Sequence, residues 1–206
     1  MTLLVPRAAA IAALVAIAAI AATTGCLGSP QPKFYTLSAA SGADAGAPVA
    51  SRPDLGLIVG PLEFPRYLDR PELVSRDGSY QLVVADAHRW GGSMTSDVLR
   101  SVADDLGRLL GTARVVTYPS DARFAANYRV LLDVHEFEGV LGAKVTLRVR
   151  WTIAAVKDGR AVVVEESVFE QPTASASYED LVAAESAALG AMTREIAERI
   201  AGLPPR

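Results

Sequence analysis

The chain has very few of the side chains on which disulfide-stabilised folds and metal sites depend. Among its 206 residues there is one cysteine, Cys26, and there are two histidines, His88 and His135. A single cysteine cannot form an intramolecular disulfide. One cysteine and two histidines also fall short of the four ligands of a structural zinc site. The composition therefore excludes both classes, and we expect no metal site.

Recognisable catalytic motifs are missing as well. The sequence contains no G-x-S-x-G, P-loop, dinucleotide fingerprint or H-E-x-x-H. The adjacent acidic pairs Asp104-Asp105 and Glu165-Glu166 point to different sides of a helix or strand, so they do not meet over a substrate. His135 alternates with Asp133 on one strand face, where a surface histidine is favoured over a two-ligand metal site. We expect no catalytic residues; a hydrolase would need two carboxyl groups facing across one cleft.

The charge balance argues against one class of partner. Lys and Arg number 20 and Asp and Glu number 23, which gives a formal net charge of −3. Nonspecific binding to nucleic acid needs a basic excess, because the phosphate backbone supplies most of that affinity. We therefore expect no nucleic-acid partner.

The first 25 residues have the pattern of an export signal. Met1 to Arg7 carry one positive charge, Ala8 to Ala22 are apolar, and Thr23-Thr24-Gly25 precede Cys26. A charged region, an apolar region and small residues before a cysteine are typical of a bacterial lipoprotein signal peptide. The apolar stretch is shorter than the roughly 20 residues of a transmembrane helix. An uncleaved anchor and an ordinary secretion signal are the alternatives.

The Cys26 thiol would receive the lipid, and cleavage before Cys26 would free the amino group that an N-acyl chain requires. We expect a covalent diacylglycerol on the thiol and an N-acyl chain such as palmitate, and no other cofactor. More than one acyl chain makes anchoring stable. Leu27 stands where many inner-membrane lipoproteins carry aspartate. We therefore expect the periplasmic face of the outer membrane, with inner-membrane anchoring as the alternative.

The segment that follows the cysteine differs in composition from the rest of the chain. Residues 26–53 are rich in Ala, Gly, Ser and Pro and predict a lipidated tether. Aromatic and β-branched residues predict a short strand near 34–37, which would hold the lipid end close to the body. Residues 38–53 are typical of a flexible linker. Residues 54–206 predict a single domain.

Local periodicity predicts an α+β fold. Apolar residues alternate with polar residues over 144–153, in the middle of a predicted three-stranded antiparallel meander. Asp77-Gly78 predicts a hairpin, and helical spacing predicts helices over 93–110 and about 178–201. The expected architecture is a mixed or antiparallel β-sheet packed against two main α-helices, in the order β-β-β-β-α-β-β-β-β-α.

Several short segments follow one another in a characteristic order. After the cysteine come Phe34-Tyr35-Thr36-Leu37, Ile58-Val59-Gly60-Pro61, Pro65-Arg66-Tyr67-Leu68-Asp69-Arg70-Pro71-Glu72-Leu73-Val74, Arg89-Trp90, Leu99-Arg100 and Ala103-Asp104-Asp105-Leu106. In these segments the chain resembles the ABC-type transport auxiliary lipoproteins, the PqiC/YmbA-like membrane-integrity transporter subunits. The resemblance covers about residues 26–120. The C-terminal half agrees in pattern more than in motif.

The resemblance implies a non-enzymatic subunit of an envelope transport system. One implied partner is an MCE-domain periplasmic protein that moves lipid between the two membranes. The other is the ABC transporter or inner-membrane complex that works with that protein. A homo-oligomeric ring would suit a symmetric tunnel. The alternative is a periplasmic lipid-binding carrier lipoprotein with its own apolar pocket.

The implied contact positions are the loop residues Arg66, Tyr67, Leu68, Asp69, Arg70 and Pro71, together with Trp90. For Tyr67, Leu68 and Trp90, packing into the core is an open alternative to partner contact. Arg148 and Arg150 present a further choice, between binding of anionic groups and an ordinary solvated sheet face.

Overall fold

A computed structural model describes residues 31–39, 46–78, 80–119 and 123–204. Cys26, the predicted signal peptide and residues 40–45 of the predicted linker lie outside these ranges. The described elements follow the predicted order: β1 (Lys33–Tyr35), β2 (Leu57–Glu63), β3 (Glu72–Asp77), β4 (Gln81–Trp90), α1 (Met94–Leu110), β5 (Val115–Thr117), β6 (Tyr128–Gly139), β7 (Lys144–Ala155), β8 (Ala161–Pro172) and α2 (Tyr178–Ala201). Neither helix within the described ranges has both the length and the apolar character that a membrane span requires.

The strands form two sheets, which confirms the α+β class. The five-stranded sheet has the order β5-β2-β6-β7-β8, with β2 parallel to β5 and β6 and with the predicted meander β6-β7-β8 antiparallel. The smaller sheet has the order β1-β4-β3. Its β3–β4 pair is the hairpin predicted at Asp77-Gly78, and Gly78 has a φ of 68°, which a residue without a Cβ adopts most easily.

Local sequence explains why the main elements form. In β7 the apolar set Val145, Leu147, Val149, Trp151 and Ile153 is fully buried, as the alternation predicts. Ser93 caps α1 by accepting a hydrogen bond from the Ser96 N–H, and Gly111 ends the helix in the left-handed region. Ser177 caps α2 by accepting from the Asp180 N–H.

The core lies between the helices and the five-stranded sheet. Helix α2 packs on β7 and β8, and α1 packs on α2, β2 and β5. Large side chains fill this layer, and each such apolar group stabilises the fold by about 1.5–3 kcal/mol when it is removed from water. The largest that are fully buried include Trp151, Tyr128, Phe137, Leu106 and Leu181.

The segment predicted as a flexible linker is attached to the body where the structure describes it. The N–H groups of Val49 and Ala50 donate to the Leu109 carbonyl, at 2.8 and 3.1 Å. The Arg52 guanidinium donates to the carbonyls of Ile200 and Leu203. These acceptors lie at helix C-termini, where carbonyls lack partners within the helix. Residues 46–53 are therefore not a flexible linker. The prediction is wrong for them because composition does not reveal their hydrogen bonds to the helix ends.

This correction changes which residues separate the predicted lipid from the folded body. The compact unit begins at Pro32, and β1 already pairs with β4. Residues 38–53 come after β1 and therefore add no reach to an anchor at Cys26. Any such reach comes from the few residues before β1.

Candidate interaction surface

Three segments that are distant in the sequence meet on the three-stranded sheet. Phe34 of β1 lies opposite Arg89 of β4, and Arg89 lies opposite Glu72 of β3. At one end of the sheet the Gly91 N–H donates to the Tyr35 carbonyl at 2.7 Å. The sheet thus joins the 34–37 segment, the 65–74 segment and the Arg89-Trp90 pair in one place.

The outer side chains of this junction form a continuous row, which we name the β1–β3 row: Phe34, Arg89, Glu72 and Arg70. Phe34 is 65% exposed. Arg70 Nε donates to Glu72 Oε2 at 3.0 Å, and Arg89 Nη2 lies 3.6 Å from Glu72 Oε1. The hydrogen bond from Arg70 is the main reason why the pKa of Glu72 is lowered. Two guanidinium groups on one carboxylate leave a local excess of positive charge.

The loop residues predicted to bind a partner separate into exposed and packed groups. Arg66, Asp69, Arg70 and Pro71 are exposed. Leu68 is 3% exposed and packs in the core. Because the loop turns Leu68 inward, that side chain does not form part of an external contact surface.

The sequence allows Trp90 to be either an exposed partner contact or a core residue, and the structure does not expose it. It is 5% exposed and belongs to the hydrophobic core at the end of β4, immediately before α1. The backbone N–H of Trp90 donates to the Pro71 carbonyl at 2.8 Å and so fixes the end of the loop. Packing therefore explains this tryptophan.

Glu138 is the residue of this region that the sequence analysis missed. Its side chain is fully buried at the end of β6. Oε2 accepts from the Tyr67 hydroxyl at 2.9 Å and from the Phe137 N–H at 3.1 Å, and Oε1 accepts from Arg76 Nε at 2.9 Å. In the sequence Glu138 looks like its neighbour Glu136, which is partly exposed. Only the covering by the loop and by β3 distinguishes the two glutamates.

This network fixes the half-buried Tyr67. Burial, followed by the hydrogen bond to Glu138 and the Glu138 charge, raises the pKa of Tyr67 to about 12. Arg76 is the counter-ion of Glu138, which raises the pKa of the guanidinium further. Tyr67 and Arg76 thus hold the loop and β3 on the end of β6.

A second buried carboxyl group lies nearby on α2. Glu185 is buried, and its Oε2 has no hydrogen-bond partner among the described residues. Burial, and secondarily the Glu138 charge, raises the pKa of Glu185 well above its ordinary value. A hydrolase also needs a raised pKa on one of two acidic groups, but it needs both at a cleft. Here both carboxyl groups are covered.

A groove of about 450 Å³ lies elsewhere, between α1 and β5. Its lining includes the charged side chains Arg100 and Asp104 and the polar Ser96 and Thr117. A pocket for acyl chains would be lined mostly by apolar groups. The groove is therefore a poor match for a lipid chain.

The outer face of the five-stranded sheet carries matched charges. Arg148 lies 3.4 Å from Glu136, Arg150 lies 3.4 Å from Glu166, and Lys144 pairs with Glu170. His135 Nε2 lies 3.1 Å from Asp133 Oδ2 on the same strand. Within the described ranges, no group of three or more His, Cys, Asp or Glu side chains is placed to hold a metal ion. Carboxylates offset the Arg148 and Arg150 ladder, as on a solvated face.

The chain matches one protein-family model over most of its length. The family is described as the ABC-type transport auxiliary lipoprotein component, and the match covers residues 35–197. The β1–β3 row lies in this range except for Phe34, which directly precedes it. Among curated proteins, none matches the chain.

Several solved structures are similar in fold. An uncharacterised protein is 17% identical with a TM-score of 0.67, over 83% of this chain and 99% of its own. A Xanthomonas campestris protein of the DUF330 family is 20% identical with a TM-score of 0.63, over 82% of this chain and 94% of its own. The PelC dodecamer of Paraburkholderia phytofirmans is 12% identical with a TM-score of 0.46, over 77% and 94%. The first two likenesses establish a shared fold.

Proposed function

Because the chain belongs to the ABC-type transport auxiliary lipoprotein family, we propose that it is a non-catalytic, lipid-anchored subunit of an ABC/MCE-type envelope transport system. In this proposal Cys26 carries the acyl chains and anchors the protein in the periplasmic face of the outer membrane. The folded body docks a periplasmic MCE-domain protein. That partner moves lipid between the membranes and so maintains membrane integrity.

The observation that carries this proposal is the convergence of three distant segments on one exposed row. Phe34, Arg89 and Glu72 come from three strands, and Arg70 extends the row into the loop. Arginine is enriched at protein interfaces, and Arg89 and Arg70 are 42% and 40% exposed. Phe34 and Arg70 are exposed, whereas Arg89 and Glu72 are partly buried and pair with each other.

The loop is well suited to dock a partner because it is held rigidly. Leu68 is packed below it, Tyr67 is bonded to Glu138, and the Pro71 carbonyl accepts from the Trp90 N–H. Little conformational entropy is then lost when a partner binds to the exposed side chains. We propose Arg66, Asp69 and Pro71 as the direct contacts, with Arg70 linking them to the row.

The alternative function, a carrier with its own lipid pocket, has less support. The space between the helices and the five-stranded sheet is occupied by buried side chains such as Trp151 and Phe137. The groove beside α1 has charged walls. Recovery of a bound lipid from the purified protein would favour the carrier. A homo-oligomeric ring stays a prediction.

A charge swap in the loop tests the docking surface. Deleting Arg66 to Pro71 would remove Leu68 and the Tyr67 hydroxyl from the fold, so it cannot separate docking from stability. The double variant Arg66→Asp, Asp69→Arg keeps the net charge and alters only exposed side chains. We expect it to weaken binding to the purified periplasmic domain of the MCE-type partner at least tenfold, which is about 1.4 kcal/mol. Biolayer interferometry measures this change.

The matched control reverses an exposed ion pair on the other sheet. Lys144 and Glu170 are each 53% exposed, and the swap Lys144→Glu, Glu170→Lys preserves both their pairing and the net charge. We expect this control to bind like the wild type. Equal binding by the loop variant would reject the loop as the docking site. No binding by the wild-type protein would reject the MCE-type partner itself.

A further inference from the structure

We propose that the β1 end of the β1–β3 row, Phe34, rests on the anionic phospholipid surface that holds the acyl anchor. This inference rests on the proposed function for one point only, the lipid on Cys26. It adds a second contact between the protein and the membrane. It also assigns the two ends of the row to different surfaces, the bilayer at β1 and the partner at the loop.

The length of chain before β1 limits how far this strand can lie from the anchor. Phe34 follows Cys26 by eight positions. Eight residues span at most about 29 Å when fully extended. Because Phe34 is paired with Arg89 in the folded sheet, the body cannot move away from the anchor by releasing more chain there. The first exposed aromatic residue of the body is thus kept near the membrane.

The chemistry of this end of the row suits an anionic bilayer surface. Phe34 is an exposed apolar ring, and the exposed Lys33 before it lies on the other face of β1, opposite His88. Arg89 and Arg70 are 42% and 40% exposed, with Glu72 as the carboxylate between them. Aromatic rings enter the headgroup region while lysine and arginine bind anionic headgroups. Exposed acidic residues in this region include Asp69 in the loop, Asp86 farther along β4 and Glu179 at the start of α2, which acts electrostatically on Tyr35 of β1.

This placement has a consequence for the docked partner. Strand β3, which the loop enters, is two strand spacings from β1, or about 10 Å. A partner bound at Arg66 and Asp69 would therefore be held at the bilayer surface. The short spacer before β1 would then set the distance that a lipid must cross between the bilayer and the bound partner.

Site-directed spin labelling of the full-length acylated protein tests the contact. Cys26 is the only cysteine, and acylation uses its thiol, so an introduced cysteine is the only free thiol. A nitroxide is attached to Pro32→Cys, which retains Lys33 and Phe34, and to Phe34→Cys. The control is Tyr80→Cys, because Tyr80 is 98% exposed in the β3–β4 turn, at the end of β4 that does not pair with β1. The protein is reconstituted in vesicles of phosphatidylethanolamine and phosphatidylglycerol.

Collisions of each label with oxygen and with a water-soluble nickel chelate report its depth. We expect the oxygen-to-nickel ratio to be several-fold higher at positions 32 and 34 than at position 80. Adding Phe34→Ser to the Pro32→Cys protein should reduce the ratio at position 32. Replacing phosphatidylglycerol by phosphatidylcholine should reduce it as well, because the anionic charge is lost.

Equal oxygen-to-nickel ratios at positions 32, 34 and 80 would overturn the inference. It would also be overturned if neither Phe34→Ser nor the replacement of phosphatidylglycerol reduced the ratio at position 32. Protection that arises only after the MCE-type domain is added would assign Phe34 to the partner instead. The vesicles contain no partner, so these failures leave the docking proposal intact. A mass spectrum without acyl chains on Cys26 would overturn both the anchor and this inference.

Discussion

Tyr67 donates its phenolic hydrogen to Glu138 Oε2 across 2.9 Å, and this bond ties the loop between β2 and β3 to the end of β6. Glu138 also accepts from Arg76 of β3 and from the Phe137 N–H. A buried carboxylate with several donors fixes each of the elements that supply them. The exposed loop residues therefore stand on a rigid base.

Removal of the Arg76 side chain should destabilise the fold strongly. Glu138 has a fully buried side chain, and the loss of its counter-ion leaves a buried charge without full compensation. We expect Arg76→Ala to lower the free energy of unfolding by about 3 kcal/mol, measured by urea denaturation. Arg148→Ala removes an arginine whose pair with Glu136 is more exposed, and it should cost less than about 1 kcal/mol. Similar losses in the two variants would contradict a special role for Glu138.

Tyr67 should make the stability depend on pH in the alkaline range. Its pKa is about 12 in the fold, against 10 for an ordinary tyrosine. A raised pKa means that folding favours the protonated phenol, so the stabilisation is full below pH 10 and is lost as the pH rises from 10 to about 12. Tyr67→Phe should show a smaller loss over this window in urea denaturation. If Tyr67→Phe lost as much stability over this pH range as the wild type, groups other than Tyr67 would be responsible for the loss.

Glu185 should limit stability at neutral pH. Its pKa is raised above the ordinary 4.5, so folding favours the protonated carboxyl group. The resulting stabilisation is full below pH 4.5 and is lost as the pH rises through the raised pKa. Glu185→Gln cannot ionise, so its free energy of unfolding should increasingly exceed that of the wild type as the pH rises above 4.5. Glu198→Gln, an exposed change on the same helix, should follow the wild type.

Arg52 should stabilise the fold, although it lies in the segment predicted as a linker. Its guanidinium donates to Ile200 and Leu203 carbonyls at 2.8 and 3.0 Å near the C-terminus of α2. Hydrogen bonds from a charged donor contribute about 1.5–3 kcal/mol. We expect Arg52→Ala to cost about 2 kcal/mol in thermal or urea unfolding, and Arg160→Ala, in the exposed β7–β8 turn, to cost less than about 0.5 kcal/mol. Equal stability of the two variants would show that the Arg52 side chain does not hold this segment, which would leave the backbone bonds of Val49 and Ala50 as its attachment.

Cys26→Ala should abolish lipid attachment without affecting the folded body. The acyl acceptor is lost, while residues 32–204 retain their described contacts. We expect no incorporation of radiolabelled palmitate, no restoration of membrane integrity in a deletion strain, and an unchanged unfolding midpoint of the body. Full restoration of membrane integrity would show that the anchor is dispensable, and the docking proposal would then fail.

Local patterns predicted most of the secondary structure. The alternation of Val145 to Ile153 sets which face of β7 is buried, and Ser93, Gly111 and Ser177 set helix ends. These features depend on residues a few positions apart, so one chain segment contains the whole signal. The same holds for the hairpin at Asp77-Gly78, where a positive φ favours glycine.

The pairing of the strands and the shape of the site were decided by tertiary contacts. A single sheet was expected, but β1 joins β4 rather than the larger sheet. Partner contact by the exposed loop residues stays a prediction, whereas Leu68 and Trp90 are core residues. Nothing in the local pattern separates a tryptophan that packs before a helix from one that is displayed there.

The sequence by itself determined the order of the elements, the buried face of β7, the helix ends and the predicted lipid signal at Cys26. Each is encoded by neighbouring residues through a backbone period or a short recognition motif. Only the tertiary structure decided that Glu138 is the buried acceptor of the loop and that residues 46–53 close the helix ends. It also placed Phe34, Arg89 and Glu72 in one row. These relationships join residues far apart in the chain, and burial and hydrogen bonding select them only once the chain has folded.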